Sequence, residues 1–236
     1  MKRYIPVTAL LLLLTTCRLH AQHYDTFLET YYFKEKIPNS HSKTATGYQN
    51  IAGSPYFNND FLDAILYVDD STAVRLPARF NIYSGEMEYL IDGTAYSPGE
   101  RARLKKVIIG ETFFLYEPRI DPATYVELLA TGRCSLFQQR RVSYHAGEGP
   151  KPIVGTSTPA EFVRESDEWF LAMEGGEPVR IRNMNSVRLF FNKQGTEVES
   201  FIRREKLKRF NRQNLIDIVR FFNNLPEKNS EHHLIP

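Results

Sequence analysis

The sequence predicts an α+β protein that is mainly antiparallel β, as a meander, open barrel or sandwich-like sheet, with a C-terminal helical segment packed on the sheet. Three observations carry this. From about residue 48 to 145, apolar and polar residues alternate in short runs broken by Gly-containing turns. After about residue 182 the apolar period becomes that of a helix. The 236 residues are 42% hydrophobic and 25% charged, which fits a folded chain and excludes disorder, collagen and a coiled coil.

Residues 1–21 read as a secretory signal peptide. Lys2 and Arg3 form a basic start, Val7 to Leu14 an apolar run, and Ala21 a small residue at the cleavage position. The run is shorter than the about 20 residues of a membrane span. Leu14-Thr15-Thr16-Cys17 offers a second reading, lipoprotein processing at Cys17. Thr before the cysteine is atypical there, so cleavage after Ala21 is the favoured reading. The expected setting is export to the periplasm or the outer membrane. Residues 22–180 then form a β-rich domain with a short N-terminal helix, and residues 181–236 the helical segment.

Within 23–36, Phe27 and Tyr31 are i,i+4 neighbours and predict the short helix; Pro38 and the polar stretch 39–47 predict a loop. Leu76, Ala78, Phe80 and Ile82 share one strand face, with Arg75, Pro77, Arg79 and Asn81 on the other. After Ser84-Gly85, Met87, Tyr89 and Ile91 alternate with Glu86, Glu88 and Asp92. This is a hairpin pattern. Pro77 lacks a ladder donor, which predicts an edge position or a bulge. Asp92-Gly93 marks the next turn, and 103–109 and 112–116 two more strands.

Residues 122–131 support two readings. Asp121-Pro122 suits a helix start and Gly132 a helix end. Yet Val126, Leu128 and Ala130 alternate, and a strand hairpin through Gly132-Arg133 is the preferred assignment. Residues 146–159, rich in Gly and Pro, read as an exposed connection before strands at 161–165 and 168–173. Helical stripes follow at Val187-Phe190-Phe191, Val198-Phe201-Ile202 and Leu215-Ile216-Val219-Phe222, ending at Pro226 and a polar tail.

The formal charge of +2 conceals an asymmetry. Loss of residues 1–21 removes three basic side chains and no acid, leaving 215 residues at −1. Residues 22–179 carry −7 and residues 180–220 carry +7. Arg203, Arg204, Lys206, Lys208, Arg209 and Arg212 crowd the basic end. They are candidate contacts for an anionic lipid or glycan surface or an acidic envelope protein. The alternative, and the favoured one, is a helix–loop–helix docked on the acidic β region of its own chain. Nucleic acid is not expected for an exported protein with an acidic β region.

Catalytic and cofactor signatures are absent from the sequence: it has no phosphate loop, Gly-x-Gly-x-x-Gly turn, Gly-x-Ser-x-Gly elbow, His-Glu-x-x-His or Cys-x-x-Cys. No cofactor and no metal is expected. Asn58, Asn59, Asp60, Asp63, Asp69 and Asp70 lack calcium-loop spacing. Cys134 reads as a small buried apolar residue. Glu86 and Glu88 share a strand face and are the one carboxylate pair of interest for glycoside hydrolysis; solvent-facing charges are the favoured reading. Thirty aromatic residues suit either a core or a ligand cavity.

Several strings, Gly53-Ser54-Pro55-Tyr56-Phe57-Asn58, Arg79-Phe80-Asn81-Ile82-Tyr83 with Glu86-Met87-Glu88, Leu128-Leu129 with Gly132, and Phe221-Phe222-Asn223, give a resemblance over most of the chain. The sequence resembles a group of secreted bacterial cell-envelope proteins of unknown function. The resemblance implies an envelope setting and assigns no functional residue. The expected function is a non-enzymatic, envelope-associated binding or structural protein. The alternative is a periplasmic carrier of a small apolar ligand or glycan in an aromatic-lined cavity.

Overall fold

The computed structural model describes residues 35–41, 48, 50–70, 72–98, 104–147 and 157–226. The expected signal peptide, residues 23–34 of the expected helix and the polar tail lie outside these. Among the described residues, thirteen strands and three helices follow one another: β1 (Glu35–His41), β2 (Leu62–Tyr67), β3 (Ala73–Asn81), β4 (Glu86–Ile91), β5 (Thr94–Ser97), β6 (Lys106–Ile109), β7 (Thr112–Glu117), β8 (Thr124–Ala130), β9 (Cys134–Gln139), β10 (Val142–His145), β11 (Glu161–Arg164), β12 (Glu168–Met173), β13 (Val179–Ile181), α1 (Met184–Asn192), α2 (Glu197–Arg204) and α3 (Arg212–Asn223).

Eleven strands form one open antiparallel sheet in the order β1-β5-β4-β3-β2-β6-β7-β8-β9-β12-β13. The protein is therefore α+β and mainly antiparallel, and it is not a closed barrel. The order is built from two meanders. β2 to β5 step away from β2 on one side; β6 returns to its other side, and β6 to β9 step onward. β10 and β11 leave as a separate hairpin.

The turns explain the pairing. Ile91 faces Thr94, so Asp92 and Gly93 form a two-residue turn, both with positive φ. Residues 124–130 and 134–139 pair as strands, resolving the ambiguity at 122–131 in favour of the hairpin.

Two expectations are corrected. Glu35 and Lys36 belong to a strand, and the loop expected after Pro38 begins inside it. Pro38 is tolerated because β1 is outermost and its register with β5 shifts between Lys36 and His41. Pro77 lies in an interior strand, but at an edge position of its ladder. It pairs with Asp63 of β2, but the β4 ladder starts only at Ala78, so its missing donor falls where β3 is paired on one side.

One sheet face holds both main clusters. At its N-terminal end, Leu66, Ala78, Phe80, Met87, Val107 and Phe114 pack together. At its C-terminal end, Leu136, Leu171 and Ile181 receive Val187, Ile202, Leu215, Val219 and Phe222 from the helices. The reverse face of β8, β9 and β12 buries Val126, Phe137 and Phe170 with Ile120. Asn183 caps α1 in a reciprocal capping box with Ser186. The last turn of α3 is fastened to the sheet: Arg133 donates to the carbonyls of Phe222 and Leu225, and the Asn223 amide bonds Cys134 and Thr131. A Cβ on Gly132 (φ +145°) would sit 2.8 Å from Asn223 Cγ, which explains the glycine in this turn.

Candidate functional site

The turn after β3 begins at a buried polar cluster. Arg79 and Glu88 face each other across β3 and β4. The Arg79 guanidinium lies 2.6 Å from the Glu88 carboxylate, and only 1% of Arg79 is exposed. It also donates to the Tyr56 hydroxyl at 2.9 Å and the Asn59 carbonyl at 3.0 Å, between the rings of Tyr56 and Phe61. Asn81 donates to the other Glu88 oxygen at 3.1 Å and accepts from the Ser84 N–H. The expectation that Glu88 faces solvent is thus corrected. The segment 52–61 covers this end of the sheet and desolvates both charges, which persist because they are paired.

That covering segment also positions an aromatic surface. Ala52 bonds Ala160 and Phe162 through the backbone, and Arg164 donates to the Tyr56 carbonyl at 2.6 Å, so the β10–β11 hairpin is held beside the β3–β4 turn. Phe162 lies 5.0 Å from Tyr48, 5.1 Å from Tyr83 and 5.5 Å from Tyr144 between ring centroids. Phe162 is buried beneath, whereas Tyr83 and Tyr144 remain 46% and 41% exposed.

Beside Tyr83 is a cleft of about 230 Å³. Its walls are the turn 82–85, the start of β8 at 122–124, and the strand end and connection at 139–142. Gln139 lines it and is 2% exposed, yet its Oε1 has no hydrogen-bond partner among the described residues; nor has the buried Nε of Arg140. The Arg140 terminal nitrogens are engaged by Glu127 at 2.9 Å and Asp167 at 3.2 Å. Arg141 lies 3.3 Å from Glu168. A second cavity of about 200 Å³ lies between α1 and α2, closed on one side by the Arg188–Glu199 pair at 2.9 Å. Both are smaller than the about 300 Å³ at which drug-sized ligand pockets begin.

The six basic candidates all fall on α2, the α2–α3 turn or the start of α3, but their surroundings differ. Arg212 pairs with Glu127 and also bonds Gln138. Arg203 pairs with Glu199 at 2.7 Å and Arg204 with Glu205 at 2.9 Å. Lys206, Lys208 and Arg209 are exposed and form no salt bridge among the described residues.

Burial alone would raise the Glu127 carboxyl, but bonds from Arg212 and Arg140 outweigh it and hold it below the usual range. Glu117 behaves likewise: burial raises it, and Arg119 more than compensates. Burial pushes the Cys134 thiol up to about 12. Among the described residues no group of three or more His, Cys, Asp or Glu side chains could hold a metal ion, and no helix is long and apolar enough to cross a membrane.

Sequence reasoning missed the cleft because its walls come from three separated stretches. It also missed the Arg79–Glu88 pair, although a signal existed: a turn over 82–85 makes 81 face 86 and therefore 79 face 88. No protein-family model, curated protein or solved structure matches the chain.

Proposed function

We propose that this is an exported, envelope-associated binding protein without a catalytic centre of its own, and that its contact surface is the cleft at 82–85, 122–124 and 139–142 with the tyrosines beside it. The observation that carries this reading is the contrast between two sets of polar groups. Glu88, Glu117 and Glu127 are each satisfied by arginines, and the carboxyls of Glu117 and Glu127 are held below the usual range. A general acid at neutral pH needs a raised value. The cleft instead is lined by Gln139, whose buried amide oxygen has no partner among the described residues, beside the half-exposed Tyr83 and Tyr144. Residues 1–21 support export, by their basic start, apolar run and small residue at the cleavage position.

The alternative of a carrier enclosing an apolar ligand draws less support. Among the described residues, many large aromatics are packed against one another, and the two cavities described above are small. The proposed partner is therefore a component of the cell envelope that docks on the outside of the sheet.

The test has two parts. Mass spectrometry of the mature chain is expected to find Gln22 at the N-terminus; a lipidated Cys17 would change the mode of anchoring. Retention on envelope fractions is then compared for the native chain and Tyr83→Ala. Loss of retention in a variant that still folds supports the cleft. Unchanged retention counts against it.

A further inference from the structure

We infer that the cleft beside Tyr83 takes a neutral sugar unit, with hydroxyl groups inside and an apolar ring face against the tyrosine. This deepens the reading of the cleft as the contact surface and rests on it.

The Gln139 amide oxygen supplies the first constraint. Gln139 lines the cleft, and its amide oxygen is buried with no partner among the described residues. A buried acceptor without a donor carries its full desolvation cost, so an occupant that donates a hydrogen bond there gains what the protein leaves unmade. An all-apolar occupant would exclude water from that oxygen and return nothing.

The charges supply the second. Arg140 and Arg141 both line the cleft, which disfavours an ammonium donor. They do not make it an anion site either. Arg140 is already engaged by Glu127 and Asp167, and Arg141 has Glu168. An anion would also meet the Gln139 oxygen, an acceptor. A neutral hydroxyl carries no charge of either sign and donates to the Gln139 oxygen.

The rim supplies the third. Tyr83 lines the cleft and is 46% exposed, and the Tyr144 ring lies 6.3 Å away. The face of an aromatic ring is electronegative and attracts electropositive edges such as the C–H groups of a pyranose. Hydroxyls on its edge and C–H groups on its face give a sugar both kinds of contact. The small volume suits one unit of a longer glycan that continues over Tyr144.

Calorimetric titration of the full chain uses three neutral probes: maltotriose, cellotriose and the trimer of N-acetylglucosamine. A trimer of galacturonate and decanoate serve as anionic and lipid-like controls. At least one neutral trisaccharide is expected to bind with Kd of about 1 mM or tighter. Tyr83→Ala should weaken that binding by about tenfold or more, and Gln139→Leu by about tenfold. The melting temperature of Gln139→Leu should hold or rise, since an unsatisfied buried acceptor has been removed. If Gln139→Leu does not fold, the exposed Tyr83 carries the test.

No binding of any neutral probe at about 20 mM overturns the inference, as does binding insensitive to both substitutions or a preference for galacturonate or decanoate. If sugars fail while envelope retention still depends on Tyr83, only the sugar assignment falls. If that dependence is lost as well, the cleft reading falls with it.

Discussion

Arg212, in the first turn of α3, donates from its guanidinium to the Glu127 carboxylate in the middle of β8. The helical end of the chain is thereby bound to an acid of the β region. One of the six clustered cations is therefore structural. Arg212→Met should lower unfolding free energy by about 1–3 kcal/mol, the scale of a hydrogen bond to a charged group that is partly buried. Urea denaturation measures this directly.

The same carboxylate makes stability depend on pH. Glu127 and Glu117 titrate below the ordinary carboxylate value of 4.5 when folded. Their contribution is complete above that value and is lost as pH falls through the lower folded values. Urea midpoints taken from about pH 7 to about pH 3 should fall below about pH 4.5, and Glu127→Gln should flatten that slope.

Arg79 and Glu88 are a stronger case because both are buried. Removing one partner leaves an uncompensated charge, so Arg79→Met should cost about 3–5 kcal/mol. The double variant Arg79→Met/Glu88→Leu should recover a large part of it, and thermal or urea unfolding of the three chains gives the comparison.

This pair also marks where the sequence stopped being informative. The alternation in 75–91 identifies the hairpin and which residues share each face. The covering segment 52–61 makes the polar face an interior, and a polar face reads as solvated when nothing nearby in sequence signals a cover. The stripe at Leu215, Ile216 and Val219 likewise locates α3, but Ile218 is the fully buried neighbour and Ile216 only partly so. The cleft needed three stretches brought together by sheet order, and alternation does not encode sheet order beyond adjacent hairpins.

Gly53 tests the same cover from its other end. It has φ +74°, and a Cβ there would lie 2.1 Å from the carbonyl oxygen of Phe162. Gly53→Ala must push the covering segment off the β10–β11 hairpin. A loss of about 2 kcal/mol or more in unfolding free energy is expected, together with altered near-ultraviolet circular dichroism from the displaced Tyr48 and Phe162.

The exposed part of the basic cluster is separable from its structural part. Changing Lys206, Lys208 and Arg209 together to Gln should leave the melting temperature within the range of ordinary surface substitutions. Adsorption of the chain to vesicles containing anionic lipid should fall, by about 1 kcal/mol per charge at low salt. Vesicle sedimentation at about 50 and about 500 mM salt checks both the loss and its screening.

Hydrogen–deuterium exchange on the full chain, with and without the envelope fraction that retains it, addresses the contact surface itself without requiring the ligand's identity. The account predicts added protection at 82–85, 122–124 and 139–144. Protection absent from those stretches, or confined to 206–209, would contradict it.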